Sequence, residues 1–181
     1  MTEQITPEET AKALNKFLRA VIRKARAKLK KNGINASNKL SRSFKSSYKV
    51  SPNSIEASIS AEDYLPFIDL GVKGVKSGKS LGGFAYKSKG GKTGLKGMPP
   101  PKAFDKWNIR RGRAERDEKG RFLTRKQLNF RTAVGVFNYG IKPTKFFTDP
   151  FEEEFKTLPD ELIEAYGLDI EKFTKAILDN G

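Results

Sequence analysis

TPEETAKALNKFLRAVIRKARAKLKKNG (Thr6–Gly33) reads as one long amphipathic helix, and the rest of the chain is organised around it. Thr6 stands at the N-cap position, Pro7 at the first helical position and Glu9 three residues after the cap, the pattern of a capping box. Ala11, Leu14, Phe17, Leu18, Val21, Ile22, Ala25 and Leu29 then recur at helical spacing. Asn32-Gly33 stops the run. Acids occupy the first turn and bases the later turns, as the helix dipole favours. The basic side chains Arg19, Arg23, Lys24, Arg26, Lys28, Lys30 and Lys31 suit a solvated face or a face for DNA or a partner.

Downstream the period changes from 3.6 to 2. In LSRSFKSSYKV (Leu40–Val50), Leu40, Arg42, Phe44, Ser46, Tyr48 and Val50 fall on one face of an extended segment. Ser51-Pro52-Asn53-Ser54 is turn chemistry. Ile55, Ala57 and Ile59 then alternate with Glu56, Ser58 and Ser60, which predicts a β-hairpin with one buried face. DYLPFIDLGV closes at Gly71, the expected end of a short helix or turn.

Residues 72–97 are rich in Gly and Lys, contain no acid and show neither period. The expectation is a long, mobile basic loop with no hydrophobic reason to fold on itself. Its Leu81, Phe84, Tyr86 and Leu95 are available to a partner. Ala103, Phe104, Trp107 and Ile109 predict a short amphipathic helix, and TRKQLNFRTAVGVFNYG a longer one ending at Gly140. Phe146, Phe147, Phe151 and Phe155 are apolar anchors in a segment divided by Pro143 and Pro150. Leu158, Leu162, Ile163, Tyr166, Ile170, Phe173, Ile177 and Leu178 lie on a C-terminal helix, or on two helices broken near Gly167.

These elements predict an α+β fold: a small antiparallel sheet packed on a long N-terminal helix and on C-terminal helices. At 181 residues the chain is expected to be a single domain spanning 1–181. The net charge is +15. Residues 149–181 hold ten acids and three lysines, a net of −7, which leaves 33 bases and 11 acids, a net of +22, in 1–148. A basic body with an acidic helical end suits nucleic acid or charge pairing between neighbouring copies.

Two Gly-Lys-Ser/Thr triplets raise the question of a nucleotide site. A phosphate loop needs a glycine five residues before the Gly of that triplet. For Gly78-Lys79-Ser80 that position is Lys73, and for Gly91-Lys92-Thr93 it is Tyr86. Neither triplet leads into an apolar-periodic helix, so neither reads as a nucleotide site. The chain has no cysteine and no histidine, which removes thiolate chemistry and the commonest general base and metal ligand. No cofactor, metal or catalytic residue is expected. No apolar run reaches the roughly 18 residues that span a bilayer, and a soluble protein made in the cytoplasm is expected.

Taken in order, a long N-terminal helix, LSRSF, a hairpin, YLPFIDLGVKG, a Gly-rich segment, GIKPTKFF and C-terminal helices resemble the neck or tail-completion (head–tail connector) proteins of tailed bacteriophages. The positions that carry the resemblance are Leu40 and Ser43, then Tyr64, Phe67, Asp69 and Gly71, then Pro143, Phe146 and Phe147. The insertion between Gly71 and Met98 and the Trp107 helix depart from smaller members. The resemblance implies a non-catalytic virion subunit that assembles with copies of itself into a ring. The ring joins portal or adaptor to tail around the DNA channel. On this reading Lys73, Lys76, Lys79, Lys87, Lys89, Lys92 and Lys96 form an arm that touches neighbouring proteins or, without sequence preference, the packaged DNA. The other reading is a free, non-sequence-specific nucleic-acid-binding protein.

Overall fold

A computed structural model of the protein describes residues 7–34, 37–51, 54–91 and 93–179. Among them the elements run α1 (Glu8–Lys31), α2 (Lys39–Ser43), β1 (Lys45–Ser51), β2 (Ser54–Ser60), α3 (Leu65–Asp69), a 3-10 turn (Pro101–Phe104), α4 (Asp105–Arg110), α5 (Arg125–Tyr139), α6 (Thr148–Phe155) and α7 (Leu158–Asp179). The architecture is α+β. Thr6 of the expected capping box, Pro52 and Asn53 of the hairpin turn, and Lys92 of the basic segment lie outside the described residues.

The chain forms two compact units, each assembled from segments distant in sequence. The first comprises Met1–Lys31, Ser41–Glu62 and Phe146–Gly181; the second comprises Asn32–Leu40 and Asp63–Lys145.

In the first unit, α1 buries the apolar positions its periodicity predicts except Ala11, which is half-buried, with Val21, Ala25 and Leu29 wholly inaccessible. Leu14, Phe17, Leu18 and Val21 form a core with Leu158 of α7. Ile55, Ala57 and Ile59, the alternate residues of β2, pack against that core. An isolated two-stranded hairpin is marginal in water, and this helical floor is what supports it. The strands pair antiparallel from Lys45 opposite Ser60 to Ser51 opposite Ser54.

One expectation changes here, and one open alternative is decided. Leu40 and Arg42 belong to the short helix α2 and not to a strand; pairing begins only at Lys45. The C-terminal helix is continuous through Gly167. A single glycine in a helix costs only about 1 kcal/mol relative to Ala, less than the packing of Leu158, Ala165 and Asp169 on the buried face contributes.

The phenylalanines form a connected series within the same unit. Phe44 stacks on Phe147 at 6.1 Å and meets the fully buried Phe146 edge-on at 6.5 Å. Phe147 stacks on Phe151, Phe151 on Phe155, and Phe17 of α1 meets Phe151 edge-on at 5.6 Å.

In the second unit, α5 begins at a capping box. The Gln127 amide donates to the Thr124 hydroxyl, and the Gln127 side chain accepts from the Thr124 N–H. Leu128, Ala133 and Phe137 face its core. The α4 segment differs from the expected amphipathic helix. Its buried residue is Asn108, while Trp107 and Ile109 are exposed. The reason is polar: Asn108 donates to Asn129 at 2.8 Å and accepts from Thr132 at 3.2 Å, and Asn129 donates to Asp105 at 2.8 Å. The Arg125 guanidinium grips both oxygens of Asp105. Arg125 and Asn129 together hold the Asp105 carboxyl down at about 2.

Candidate functional site

The residues carrying the family resemblance divide between the two units. YLPFIDLGV and IKPTK, separated by some seventy positions in sequence, meet in the second unit. Val72 and Ile141 exchange backbone hydrogen bonds at 2.9 and 2.8 Å. The Asp69 carbonyl accepts from the N–H groups of both Thr144 and Lys145, and the Thr144 hydroxyl donates to the Ile68 carbonyl at 2.8 Å. Lys145 has a positive φ of 47°. Gly71 has φ 74°, and a Cβ there would lie 2.7 Å from the Ile141 carbonyl and from the Pro143 nitrogen. Only a glycine fits that approach.

The remaining motif positions have structural partners. Phe67 meets Phe84 edge-on at 4.7 Å, and Asp69 is buried. In the first unit the Ser43 hydroxyl accepts from the Glu62 N–H at 3.1 Å, and Phe146 and Phe147 cover Phe44. Leu40 is buried; Tyr64 stands immediately before α3. The motif is thus a device for closing each unit, not a cluster of groups aimed at a ligand.

The basic segment is less free than its composition suggests. Among the described residues of 72–97 there is no helix, and Val72, Lys73 and Ala85 take part in isolated β-bridges. Their first half nevertheless folds against α5. Val75 N–H donates to the Phe137 carbonyl, and Lys76 and Ser77 donate to that of Asn138. Those carbonyls belong to the last turn of α5, which has no partners within the helix. Lys73 pairs with the chain at Phe84 and Tyr86. Phe84 and Tyr86, expected to await a partner, pack on Phe67 and Phe137.

The glycines and the serine around Gly78-Lys79-Ser80 have structural partners. A Cβ on Gly74 would lie 2.2 Å from the Asn138 carbonyl, and one on Gly78 would lie 2.4 Å from that of Tyr139. Ser80 donates to the Gly71 carbonyl and accepts from Phe84 N–H. These residues are small because two backbones touch, and the serine hydroxyl closes a turn.

Of the proposed arm, Lys73, Lys76, Lys79, Lys87, Lys89 and Lys96 have exposed side chains. Beyond Tyr86 the segment's backbone contacts are largely its own, as with the Lys89 amide on the Lys96 carbonyl at 2.8 Å.

Charge is sorted by unit. The first holds fifteen bases and fifteen acids and is neutral; the second holds twenty-one bases and six acids, so the whole +15 resides there. The acidic end of the chain does not remain available to neighbours as a block. It folds onto α1, where Lys28 pairs with Asp149, Lys24 with Glu153 and Glu154, and Lys16 with Glu161. Charge complementarity that the primary structure offers between copies is in large part consumed inside one copy.

Two surfaces stand out as unpartnered. Along α7, Ile163, Tyr166, Ile170 and Phe173 are exposed at spacings of 3, 4 and 3, beside the buried face that carries Leu158, Ala165 and Asp169. Such a stripe matches the seam of a helix that packs on another helix. In the second unit, Trp107 and Phe122 are exposed beneath guanidinium groups: Arg113 and Arg111 lie 5.3 and 5.8 Å from the Trp107 ring, and Arg116 lies 3.8 Å from that of Phe122. The sequence reading missed this pairing, because Trp107 fitted a helical period and Phe122 sits in a charged turn.

The shifted carboxyls all answer to hydrogen bonds or ion pairs. Lys12 and Lys172 hold Glu9 at about 2. Burial pushes the Asp169 carboxyl up, but the Thr10 and Glu9 N–H groups and the Thr10 hydroxyl outweigh it and bring it below its ordinary value. Among the described residues no group of three or more acidic, His or Cys side chains is placed to hold a metal, and no helix is long and apolar enough to cross a membrane. No protein-family model, curated protein or solved structure matches the chain.

Proposed function

We propose that this chain is a structural subunit of a tailed-phage neck, a head–tail connector that packs beside copies of itself in a ring around the DNA channel, with portal or adaptor and tail proteins as its other partners. The observation that supports this most strongly is the sorting of charge. A ring subunit on a DNA channel needs one surface that packs on protein and another that tolerates DNA. The neutral first unit carries the exposed apolar stripe of α7, and the second carries all the net positive charge. Heterologous packing of identical subunits closes into rings when the rotation permits. Because the acidic end is paired to α1, apolar contact along α7 supplies the lateral adhesion in this reading. Its location would be the virion, after synthesis in the host cytoplasm.

The test is size measurement across protein concentration and salt, alone and with portal and tail proteins, followed by imaging of the particles. Rings that persist in salt and bind a connector partner are expected. A chain that stays monomeric under every condition and never enters virions overturns the proposal.

The exposed arginine–aromatic pairs of the second unit favour one other reading, a free nucleic-acid-binding protein without sequence preference. A stable monomer that binds DNA with a steep salt dependence would support it.

A further inference from the structure

The lysine segment draws attention by composition, but the second unit presents a better-organised cationic surface elsewhere. Between Lys102 and Arg131 the chain holds eleven bases and four acids. Some of these bases are neutralised nearby: Arg125 by Asp105, Arg121 by Asp117, and Arg113 and Arg131 by Glu115. Arg111 and Arg116 have no carboxylate partner among the described residues, yet both are held. Arg111 lies over Trp107, and Arg116 lies over Phe122 while donating to the Gly120 carbonyl. Arg116 and Phe122 are also bridged through their backbones, which fixes the ring under the guanidinium.

A guanidinium laid on an aromatic face keeps its N–H edges directed outward in a fixed plane. That is the geometry in which arginine binds a phosphate through two parallel hydrogen bonds. Ordering is done before the ligand arrives, so less entropy is lost on binding than for a free lysine. Lys87, Lys89 and Lys96 have no such support.

We propose that the Trp107–Arg111 and Arg116–Phe122 pairs form the principal contact of this protein with the phosphate backbone of duplex DNA, and that the lysine segment contributes only diffuse attraction. The choice of DNA over an acidic protein rests on charge. A unit with a net of +15 suits a ligand carrying closely and regularly spaced negative charge. The choice of duplex rests on the neck reading above. The rings serve here to hold arginines and not to stack on bases, so no sequence preference follows.

The experiment measures binding of the full chain to a labelled duplex of mixed sequence as a function of salt. Three variants are compared with the parent: Arg111→Gln with Arg116→Gln, Trp107→Leu, and Lys87→Gln with Lys89→Gln and Lys96→Gln. The arginine pair is expected to weaken binding at least about tenfold near 0.1 M salt and to lower the salt slope by about two. Trp107→Leu keeps every charge and is expected to weaken binding several-fold with the slope nearly unchanged, which simple charge removal cannot mimic. The lysine triple variant should lower the slope with the smaller loss at equal salt. Unchanged melting temperature confirms that each variant folds.

Parent-like binding by both the arginine and the tryptophan variants overturns the proposal. So does competition by polyglutamate as effective as by duplex of equal charge, which would make the ligand an acidic protein. Assembly is measured on the same variants. If they still form rings and their DNA binding is untouched, the surface assignment fails and the neck reading survives. If the parent never assembles but loses DNA with the arginines, the neck reading fails and the surface assignment stands.

Discussion

Asp169, midway along α7, accepts the Thr10 N–H at 2.9 Å and the Thr10 hydroxyl at 2.8 Å with one oxygen, and the Glu9 N–H at 2.9 Å with the other. One carboxylate near the end of the chain thus caps the helix at its beginning. Unsatisfied N–H groups and the positive end of the dipole make that site favourable for an anion.

Asp169→Ala should therefore destabilise the fold by about 1–3 kcal/mol at neutral pH, combining a lost cap with orphaned donors. The folded carboxyl titrates below its ordinary value of 3.8. Its contribution is complete above that value and lost as pH falls through the lower folded value. Glu9 behaves alike, between 4.5 and about 2. Urea unfolding of parent and variant at pH 7 and near pH 2.5 should show the gap between them narrowing in acid. A gap that widens in acid would contradict this sign.

Glycine substitutions should divide by their surroundings. Gly140 has φ 77°, and a Cβ there would lie 2.0 Å from the Val72 carbonyl. Gly140→Ala should cost more than about 2 kcal/mol or prevent folding, since strain and collision add. Gly83 and Gly94 also have positive φ but nothing within 4 Å of the added carbon. Alanine there should cost about 1–2 kcal/mol from backbone strain alone. Thermal melts of the three variants provide the comparison.

The polar bridge between α4 and α5 predicts that Asn108→Leu is harmful although it places an apolar residue at a buried site. The Asn129 amide oxygen would lose its donor and the Thr132 hydroxyl one of its acceptors. The expected cost is about 1–3 kcal/mol. A neutral or stabilising result in chemical denaturation would show that the network relaxes freely.

Exchange of backbone amides should split the basic segment. The N–H groups of Lys73, Val75 and Lys76, which donate to Phe84, Phe137 and Asn138, should be protected in the isolated chain. Exposed positions beyond Lys87, whose bonds are local, should exchange fast. Uniformly fast exchange from 72 to 97 would restore the picture of a free arm.

Ile163→Glu with Phe173→Glu should leave the melting point nearly unchanged, because both side chains are exposed, the effect on stability staying within about 0.5 kcal/mol. The same variant should lose self-association in sedimentation or light scattering. Undiminished assembly would mean that α7 is not the adhesive face.

Local pattern determined the long N-terminal helix, the alternating face of β2, and α5 with its glycine stop. Each depends on neighbours a few residues away, and burial follows from a pattern already written in Leu14, Phe17, Ile55 or Phe137. Tertiary structure decided what distant partners do. Asp169 reads as one acid among ten until it meets Thr10. The glycines of 71–78 read as flexibility until α5 lies against them. Trp107 reads as core until Asn108 finds Asn129 and takes the buried place. Charge behaved in the same way: a basic body and an acidic end became a neutral unit and a cationic one, because electrostatic pairing depends on distance in space and is blind to order along the chain.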